Sequence, residues 1–384
     1  MKNIAYIELD THAEIALNFM ELMNDSQEFS VDYYFSEKIL KTLGLQETES
    51  IKKVSADNIL QNLSKYQLPN TQYDLVLIGT VHRYFSVFER IAELFNTSII
   101  CHNLNFVKAS NLDLLKSIFK EDHQYRLKLL LREGLLRKSK VYQKAKNLLV
   151  LDENLAQENY KNLPIFHTKF YDDSTQSVEK ENLTIVIPGA VSQKRRDYDK
   201  VIKELKNLEL NFDNYEFRRN ETFVENNLQE KGSSVGTTQN LEIIFLGKAQ
   251  GNELEMLQNF EQNKPENISI KYFTEKVPQN VFDEYMQKAD ILWCPIQQET
   301  EFFSQKEIYG ITKMSGNIGD AIKFGKLAIF PENYPSKYPF IIPEIDDLEA
   351  QLGVYQKHLE YHFQEKFSKE KVLNQLEKTI FALL

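Results

Sequence analysis

At 384 residues the chain exceeds the size at which one core usually stops growing, so two domains of about 150–200 residues each are expected. A hydrophobic share of 42%, with 25 Phe and 19 Tyr, excludes a disordered chain; a net charge of −10 argues against nucleic acid as the main partner, because phosphate-backbone binding needs a basic face. Cys101 and Cys294 sit far apart in apolar runs and read as free buried thiols in a reducing compartment; no CxxC or HExxH spacing marks a metal site, and no cofactor is expected.

In chain order, Ile4–Ile7, Ser30–Phe35, Leu75–Ile78, Ser98–Cys101 and Leu148–Leu151 read as strands. Between them Glu14–Met23, Ile51–Leu63 and Ser86–Leu94 are amphipathic and helical. Strands alternating with helices predict a parallel, doubly wound α/β sheet, whose ligands bind at the carboxyl ends of the strands. Those ends carry His12, His82 and the pair His102-Asn103, which become cleft-lining candidates by joint placement, with His12, His82 and Asn103 expected on the acceptor side. Any one of these histidines alone would count for little.

From Arg126 to Lys146 eight Lys/Arg stand against the single acid Glu133, and Leu127, Leu130, Leu131 and Leu135 give the stretch an apolar face. Two readings fit: a core-packed helix with a solvated basic side, or a surface that meets anionic lipid head groups or a lipid-linked acceptor. The stretch 166–182 breaks into polar residues and reads as a linker between domains 1–165 and 183–350.

The second series begins with the strand Leu183–Ile187 and runs through a helix carrying Val201, Ile202 and Leu205. Strands at Glu242–Leu246, Ile268–Phe273 and Ile291–Cys294 follow, with a helix at Val281–Lys288 before the last of them. Residues 211–240 read as an insertion. The tail 351–384 is helical and is open to crossing back onto the first domain. No run approaches the roughly 18–20 apolar residues of a membrane span, so the protein is expected in the cytoplasm, with attachment to the inner membrane face left open.

The most informative stretch is Lys313–Lys326. Lys313, Ser315, Gly316 and Gly319 make a loop that opens a helix, Asp320 lies about one turn in, and Gly325 ends it. Ile318, Ala321, Ile322 and Gly325 keep one packing face. A glycine loop feeding a helix N-terminus aims N–H groups at one point and suits a phosphate, and a carboxylate one turn on suits sugar hydroxyls. A nucleotide sugar has both parts.

The string Ile187-Pro188-Gly189 with Lys194-Arg195-Arg196, then Gly247-Lys248, then Thr274 to Pro278, then Tyr309-Gly310 with Asp320-Ala321 and Gly325, resembles the nucleotide-sugar domain of GT-B glycosyltransferases, most closely the retaining family 4 or group 1 enzymes. The resemblance spans about 183–331. It implies two Rossmann-like doubly wound parallel-sheet domains facing across a cleft, and a glycosyltransferase that takes no metal. The sugar would go from a nucleotide-sugar donor to a glycan or lipid-linked acceptor of cell-surface polysaccharide or glycolipid synthesis. Gly189, Arg195, Arg196, Lys248, Thr274, Val277, Lys313, Ser315 and Gly316 would then bind donor, and His102 and Asp320 would act at the transferring sugar. The chain departs from the family's paired glutamates: Thr312 stands where the first belongs, with Glu307 the nearest carboxylate. The alternatives are a GT-B nucleotide-sugar epimerase and a GT-B protein that binds nucleotide sugar without transferring it.

Overall fold

The computed structural model describes residues 1–65, 73–120, 122–171, 182–207, 240–345, 351 and 361–384. Most of the expected linker (172–181), the insertion (208–239) and the start of the tail (352–360) lie outside the described residues. Two compact units account for the chain: Met1–Lys169, Glu299–Lys323 and Phe363–Leu384 form one, and Phe170–Gln298 with Phe324–His362 the other. The block from Glu299 to Lys323, assigned to the second domain by its sequence, therefore packs with the first unit.

The first unit is built on β1 (Lys2–Glu8), β2 (Phe29–Phe35), β3 (Ile51–Lys53), β4 (Leu75–Ile78), β5 (Thr97–Ile100), β6 (Asn147–Val150) and β7 (Lys161–Asn162). All are parallel, in the order β3-β2-β1-β4-β5-β6-β7. The two-residue period of the pleat sends Ala5, Ile7, Val76 and Ile78 into one core and Ile4, Tyr6, Leu75 and Leu77 into the other. Both faces are covered, which is why these strands read as near-continuous apolar runs. The C-terminal helix Lys369–Phe381 adds Val372, Leu376 and Ile380 to the second core.

Ile51–Lys53 had read as the start of a helix. It is an edge strand paired Tyr33↔Ile51 to Phe35↔Lys53, and the helix occupies only Ile59–Lys65. A three-residue strand carries too few alternations to be told from one helical turn.

The second unit holds β8 (Asn182–Pro188), β9 (Asn240–Lys248), β10 (Ile268–Phe273) and β11 (Ile291–Trp293). In the first unit the chain then makes β12 (Glu299–Phe302) and β13 (Gln305–Ile308), an antiparallel hairpin. Returning, it adds β14 (Ala328–Phe330) and β15 (Ile341–Pro343), and the second sheet runs β10-β9-β8-β11-β14-β15, all parallel. Trp293, fully buried in β11, donates its indole N–H to Glu344 at 2.9 Å, and Lys200 closes on the same carboxylate at 2.8 Å.

The hairpin turns through Phe303 and Ser304, both left-handed with φ of 51° and 56°. Non-glycine residues there cost about 1 kcal/mol or more each. Contacts made by the turn itself offset that cost: the Phe303 ring lies 5.1 Å from that of Phe106, and Ser304 Oγ accepts from Arg126 at 2.6 Å. Just after the hairpin, the carbonyl of Thr312 accepts from Leu104 N–H at 2.8 Å. Glu307, with no exposed surface, accepts from Phe106 N–H at 2.8 Å and Asn105 N–H at 3.3 Å. These are the first free donors of the short helix Leu104–Lys108. At the other end of that helix, the fully buried Lys138 ammonium donates to the carbonyls of Phe106, Val107 and Ala109 at 2.5–2.9 Å. A five-residue helix has little stability of its own and here is held by an anion at its start and a cation at its end.

Among the described residues, no helix is long and apolar enough to cross a membrane.

Glu307→Ala removes the anion and leaves buried N–H groups unmade, at a cost of about 2–4 kcal/mol. Urea denaturation should show that loss, with Glu307→Gln intermediate. Hydrogen exchange at Asn105 and Phe106 should speed up first, and unchanged exchange there would contradict the capping role.

Candidate functional site

In the first sheet the strand order reverses between β1 and β4, and such a switch point leaves a crevice at the strand ends. The three histidines gather around it. The His12 and His102 rings stack with centroids 3.8 Å apart, and His82 lies edge-on to both at 6.0 Å. Below them Glu8, wholly buried at the end of β1, accepts from Thr80 Oγ1 at 2.6 Å, Asp10 N–H at 2.9 Å and Thr11 N–H at 3.3 Å. Glu8 thereby ties the loop carrying His12 to the loop carrying His82. Gly79 leaves room for it, since a Cβ there would stand 2.6 Å from a Glu8 carboxylate oxygen. Burial raises the Glu8 carboxyl above its usual range, and those hydrogen bonds oppose the rise.

The bonds around the cluster fix the tautomers of His102 and His82. His102 Nε2 lies 2.8 Å from the Gly79 carbonyl, which only accepts, so Nε2 carries the proton and Nδ1 is left as an acceptor. The Asn103 amide nitrogen reaches His82 Nε2 at 3.4 Å, which makes that nitrogen the acceptor. Asn103 Oδ1 is buried with no hydrogen-bond partner among the described residues. Loss of water lowers the His82 pKa to about 3, with His12 and Lys313 adding repulsion, and pushes His102 well below its usual value. A set of neutral donors and acceptors beside an unmet amide oxygen suits hydroxyl groups better than it suits an anion.

Phe302 of the hairpin roofs the cluster, its ring 4.5 Å from that of His82. The Lys313 ammonium lies 6.0 Å from the Phe302 centroid and 5.5 Å from that of Tyr309. Lys313, expected with the donor-binding residues, thus stands with the histidines in the first unit. Glu307, the nearest carboxylate to the missing glutamate, is committed to the helix Leu104–Lys108.

The expected donor loop opens the helix Gly316–Phe324. Ser315 is its cap: Oγ accepts from Asn317 N–H at 3.3 Å and the carbonyl accepts from Ile318 N–H at 3.2 Å. Two of the first-turn donors expected to face a phosphate are therefore taken by the chain itself. A Cβ at Gly316 would meet open space, so nothing among the described residues requires glycine there. Asp320 is the fifth helical residue and accepts from the Asn317 amide at 3.1 Å.

In the second unit the switch point lies between β8 and β11. Gly189 ends β8 with φ of +104°, a conformation that glycine adopts without strain. A Cβ on Gly189 would lie 2.3 Å from a guanidinium nitrogen of Arg196, so that side chain passes directly over the turn. Arg196 Nη1 donates to the Ala190 carbonyl at 3.3 Å. Its backbone bridges Ile296 after β11, so both sides of the switch point hold it. Gly247 on β9 is equally tight, with room for a Cβ closed by the Gly189 carbonyl at 2.0 Å. Arg195 and Lys248 are exposed nearby in sequence, at the loop and at the end of β9, and Thr274 is exposed and Val277 half-buried after β10. The helix Tyr198–Asn207 offers little to an anion, because Gln193 accepts from Tyr198 and Asp199 N–H and Asp197 accepts from Lys200 N–H.

Four participants escaped the sequence reading: Glu8, Thr80, Phe302 and Lys138. Only Glu8 carried a signal, a lone acid closing an apolar strand at its ligand-facing end.

No protein-family model matches the sequence, and no curated protein matches it. Solved structures match along the whole chain. A UDP-GlcNAc 2-epimerase from Neisseria meningitidis bound to UDP-GlcNAc is 9% identical over 100% of both chains, with a TM-score of 0.50. An alpha-glucosyltransferase in complex with UDP and a mismatched DNA is 9% identical over 99% of this chain and 98% of its own, also at 0.50. At that identity the likeness shows the fold alone. The fold is GT-B: two Rossmann-like α/β units with parallel sheets.

The histidine cluster predicts a pH dependence. His82 titrates near 3 when folded and near 6.5 in an unfolded chain, so the unfolded state takes up the proton first as pH falls. Its stabilising contribution is full above about pH 6.5 and is lost progressively toward about pH 3. Urea midpoints should fall between about pH 7.5 and about pH 5, and His82→Gln should flatten that fall. An unaltered slope would show that His82 takes its proton normally.

Proposed function

We propose that the protein is a glycosyltransferase that moves a sugar from a nucleotide-sugar donor to a glycan or lipid-linked acceptor. The observation that carries the proposal is the Arg196 guanidinium lying over the Gly189 turn at the switch point of the second sheet. In glycosyl transfer the nucleoside diphosphate leaves, and negative charge grows on its oxygens. A guanidinium held in advance over the turn by the Ala190 carbonyl meets that charge with little reorganisation. Arg195 and Lys248 are exposed and are assigned to the same diphosphate, with Thr274 and Val277 toward the base. The set His12, His82, His102 and Asn103 is assigned to hydroxyls of the sugar or acceptor, with Lys313 as the cation beside it.

Epimerisation is the rival reading, since one whole-chain structural match carries that name. It requires groups that take and return a proton at a sugar carbon. The buried carboxylates described in the first unit all have partners: Glu8 holds its two loops, Glu307 caps a helix, Glu133 clamps Arg83 at 2.7 Å and 3.0 Å, Glu89 pairs with Arg137 and Lys144, and Asp152 accepts from Asn154 N–H at 2.9 Å. That favours transfer. It equally leaves room for a protein that binds nucleotide sugar without turnover, which a binding assay alone does not separate from an enzyme.

Isothermal titration with UDP, GDP and their sugar conjugates tests the donor half. One nucleotide family should bind, and Arg196→Ala should weaken it about 10–100-fold through loss of charged hydrogen bonds. Equal affinity in Arg196→Ala, with the fold intact by circular dichroism, would remove Arg196 from the site.

A further inference from the structure

Asp10 stands two residues beyond the end of β1, at the switch point of the first sheet, with its backbone N–H tied to Glu8 at 2.9 Å. Its side chain is only 14% exposed, yet among the described residues neither carboxylate oxygen accepts a hydrogen bond. The nearest cations, Lys38 Nζ and Arg83 Nη1, lie 3.7 Å and 3.9 Å from Oδ1, beyond hydrogen-bond reach. Glu8, from the same strand end, accepts three hydrogen bonds, so this edge of the sheet can satisfy a carboxylate. A carboxylate offers about four lone-pair sites, and leaving them unmet away from water is costly. Those of Asp10 are unfilled by the chain.

Arg83 is held where it cannot close the gap. Glu133 takes its Nε and Nη2 at 3.0 Å and 2.7 Å and also accepts Tyr84 N–H at 3.3 Å. Tyr84 is left-handed with φ of 55° and precedes the helix Phe85–Leu94, its ring 4.7 Å from the guanidinium carbon. Strain of that kind persists where the surroundings enforce it, and it collects at binding sites. Lys38 reaches in from the helix Glu37–Leu43 and is 65% exposed. Asp10 and Glu133 thus stand against Arg83 and Lys38, two charges of each sign. Coulomb attraction compensates the withdrawn charge of Asp10, while its capacity to accept hydrogen bonds stays unused. Tyr125, 43% exposed, lies within electrostatic reach of Arg83, Asp10, Glu133 and Tyr84, and adds aromatic surface to the same neighbourhood.

We propose that Asp10 accepts hydrogen bonds from the hydroxyls of an uncharged carbohydrate, which is the acceptor of the transfer reaction. The charge balance selects this class. A phosphate brought to Asp10 meets its carboxylate, and an amine meets Arg83 and Lys38. A hydroxyl meets neither repulsion and supplies the missing donor. A sugar ring also has apolar faces, which suit Tyr84 and Tyr125. Asp10 continues the histidine cluster, because His12 follows it in one loop and His82 precedes Arg83 in the other. The phosphate of a lipid-linked acceptor, on this account, lies away from Asp10. Calling the carbohydrate an acceptor rests on the transferase reading; that Asp10 binds it does not.

Saturation-transfer NMR of the full chain with the methyl glycosides of glucose, galactose, mannose and N-acetylglucosamine, with and without UDP or GDP, tests it. At least one glycoside is expected to bind. Asp10→Ala should weaken it about tenfold or more, and Asp10→Asn, which keeps one acceptor oxygen without the charge, should fall between the two. Both variants should keep the wild-type circular dichroism and nucleotide affinity, which separates loss of a contact from loss of the fold. Failure of every glycoside to bind, or equal binding in wild type and both variants, would overturn the inference. So would glucose 6-phosphate or glucosamine binding about tenfold more tightly than the glycoside, since the site would then select an ion. The two readings fail separately: nucleotide binding indifferent to Arg196 leaves the glycoside result standing, and glycoside binding indifferent to Asp10 leaves the nucleotide result standing.

Discussion

The place of the β12–β13 hairpin beside the histidines depends on one buried carboxylate. Glu307 reaches from the β12–β13 hairpin to the amide groups that open the helix Leu104–Lys108, directly after His102 and Asn103. An uncompensated carboxylate in that position would be costly; burial alone raises its pKa. Two backbone donors and the Thr312 hydroxyl restore the balance. The result is that a segment two hundred residues away in sequence becomes part of the first sheet's ligand-facing edge. Lys138 completes the arrangement from the far end of the same helix, its ammonium lowered to about 8 by burial yet supplied with three carbonyls.

The two units divide the chemistry by charge. The first unit's switch point is lined by His82 and His102, whose imidazoles burial keeps neutral, together with an amide oxygen that lacks a partner among the described residues. The second unit's switch point carries a guanidinium held over a glycine turn. Hydroxyls and phosphates demand different surroundings, and each environment suits one of them. The helix termini, whose N–H groups suit a phosphate when free, are largely closed by Ser315, Gln193 and Asp197.

The fold was legible because both faces of each sheet are covered. Central strands such as Ile4–Ile7 and Leu75–Ile78 are continuous apolar runs, and their alternation with helices implies parallel sheets. The hairpin was not legible. A two-residue turn with both residues left-handed is ordinarily announced by Asn-Gly or Asp-Gly, and here Phe303 and Ser304 occupy it, held by partners far away in sequence. The same non-local cause hid Glu307 and Lys138, whose roles exist only through a helix elsewhere in the chain. The three histidines were found as a set because each follows a strand. The stacking of His12 on His102, and the burial that lowers the pKa of His82 and His102, could not be read from spacing. Lys313 and Ser315 were correctly marked as belonging to a loop that opens a helix, but the unit that loop packs with is decided by Glu307 and Thr312. In the basic stretch, counting charges overstated the free ones, because composition does not distinguish Lys138 at the core from Lys128 at the surface.

The most direct test of the central claim is proton NMR of nucleotide sugars incubated with the protein in heavy water, with and without a lipid and glycan extract. The account predicts release of nucleoside diphosphate that depends on the extract, with no deuterium entering the donor sugar. Deuterium at a sugar carbon, or a donor that binds and remains intact under every condition, would contradict it.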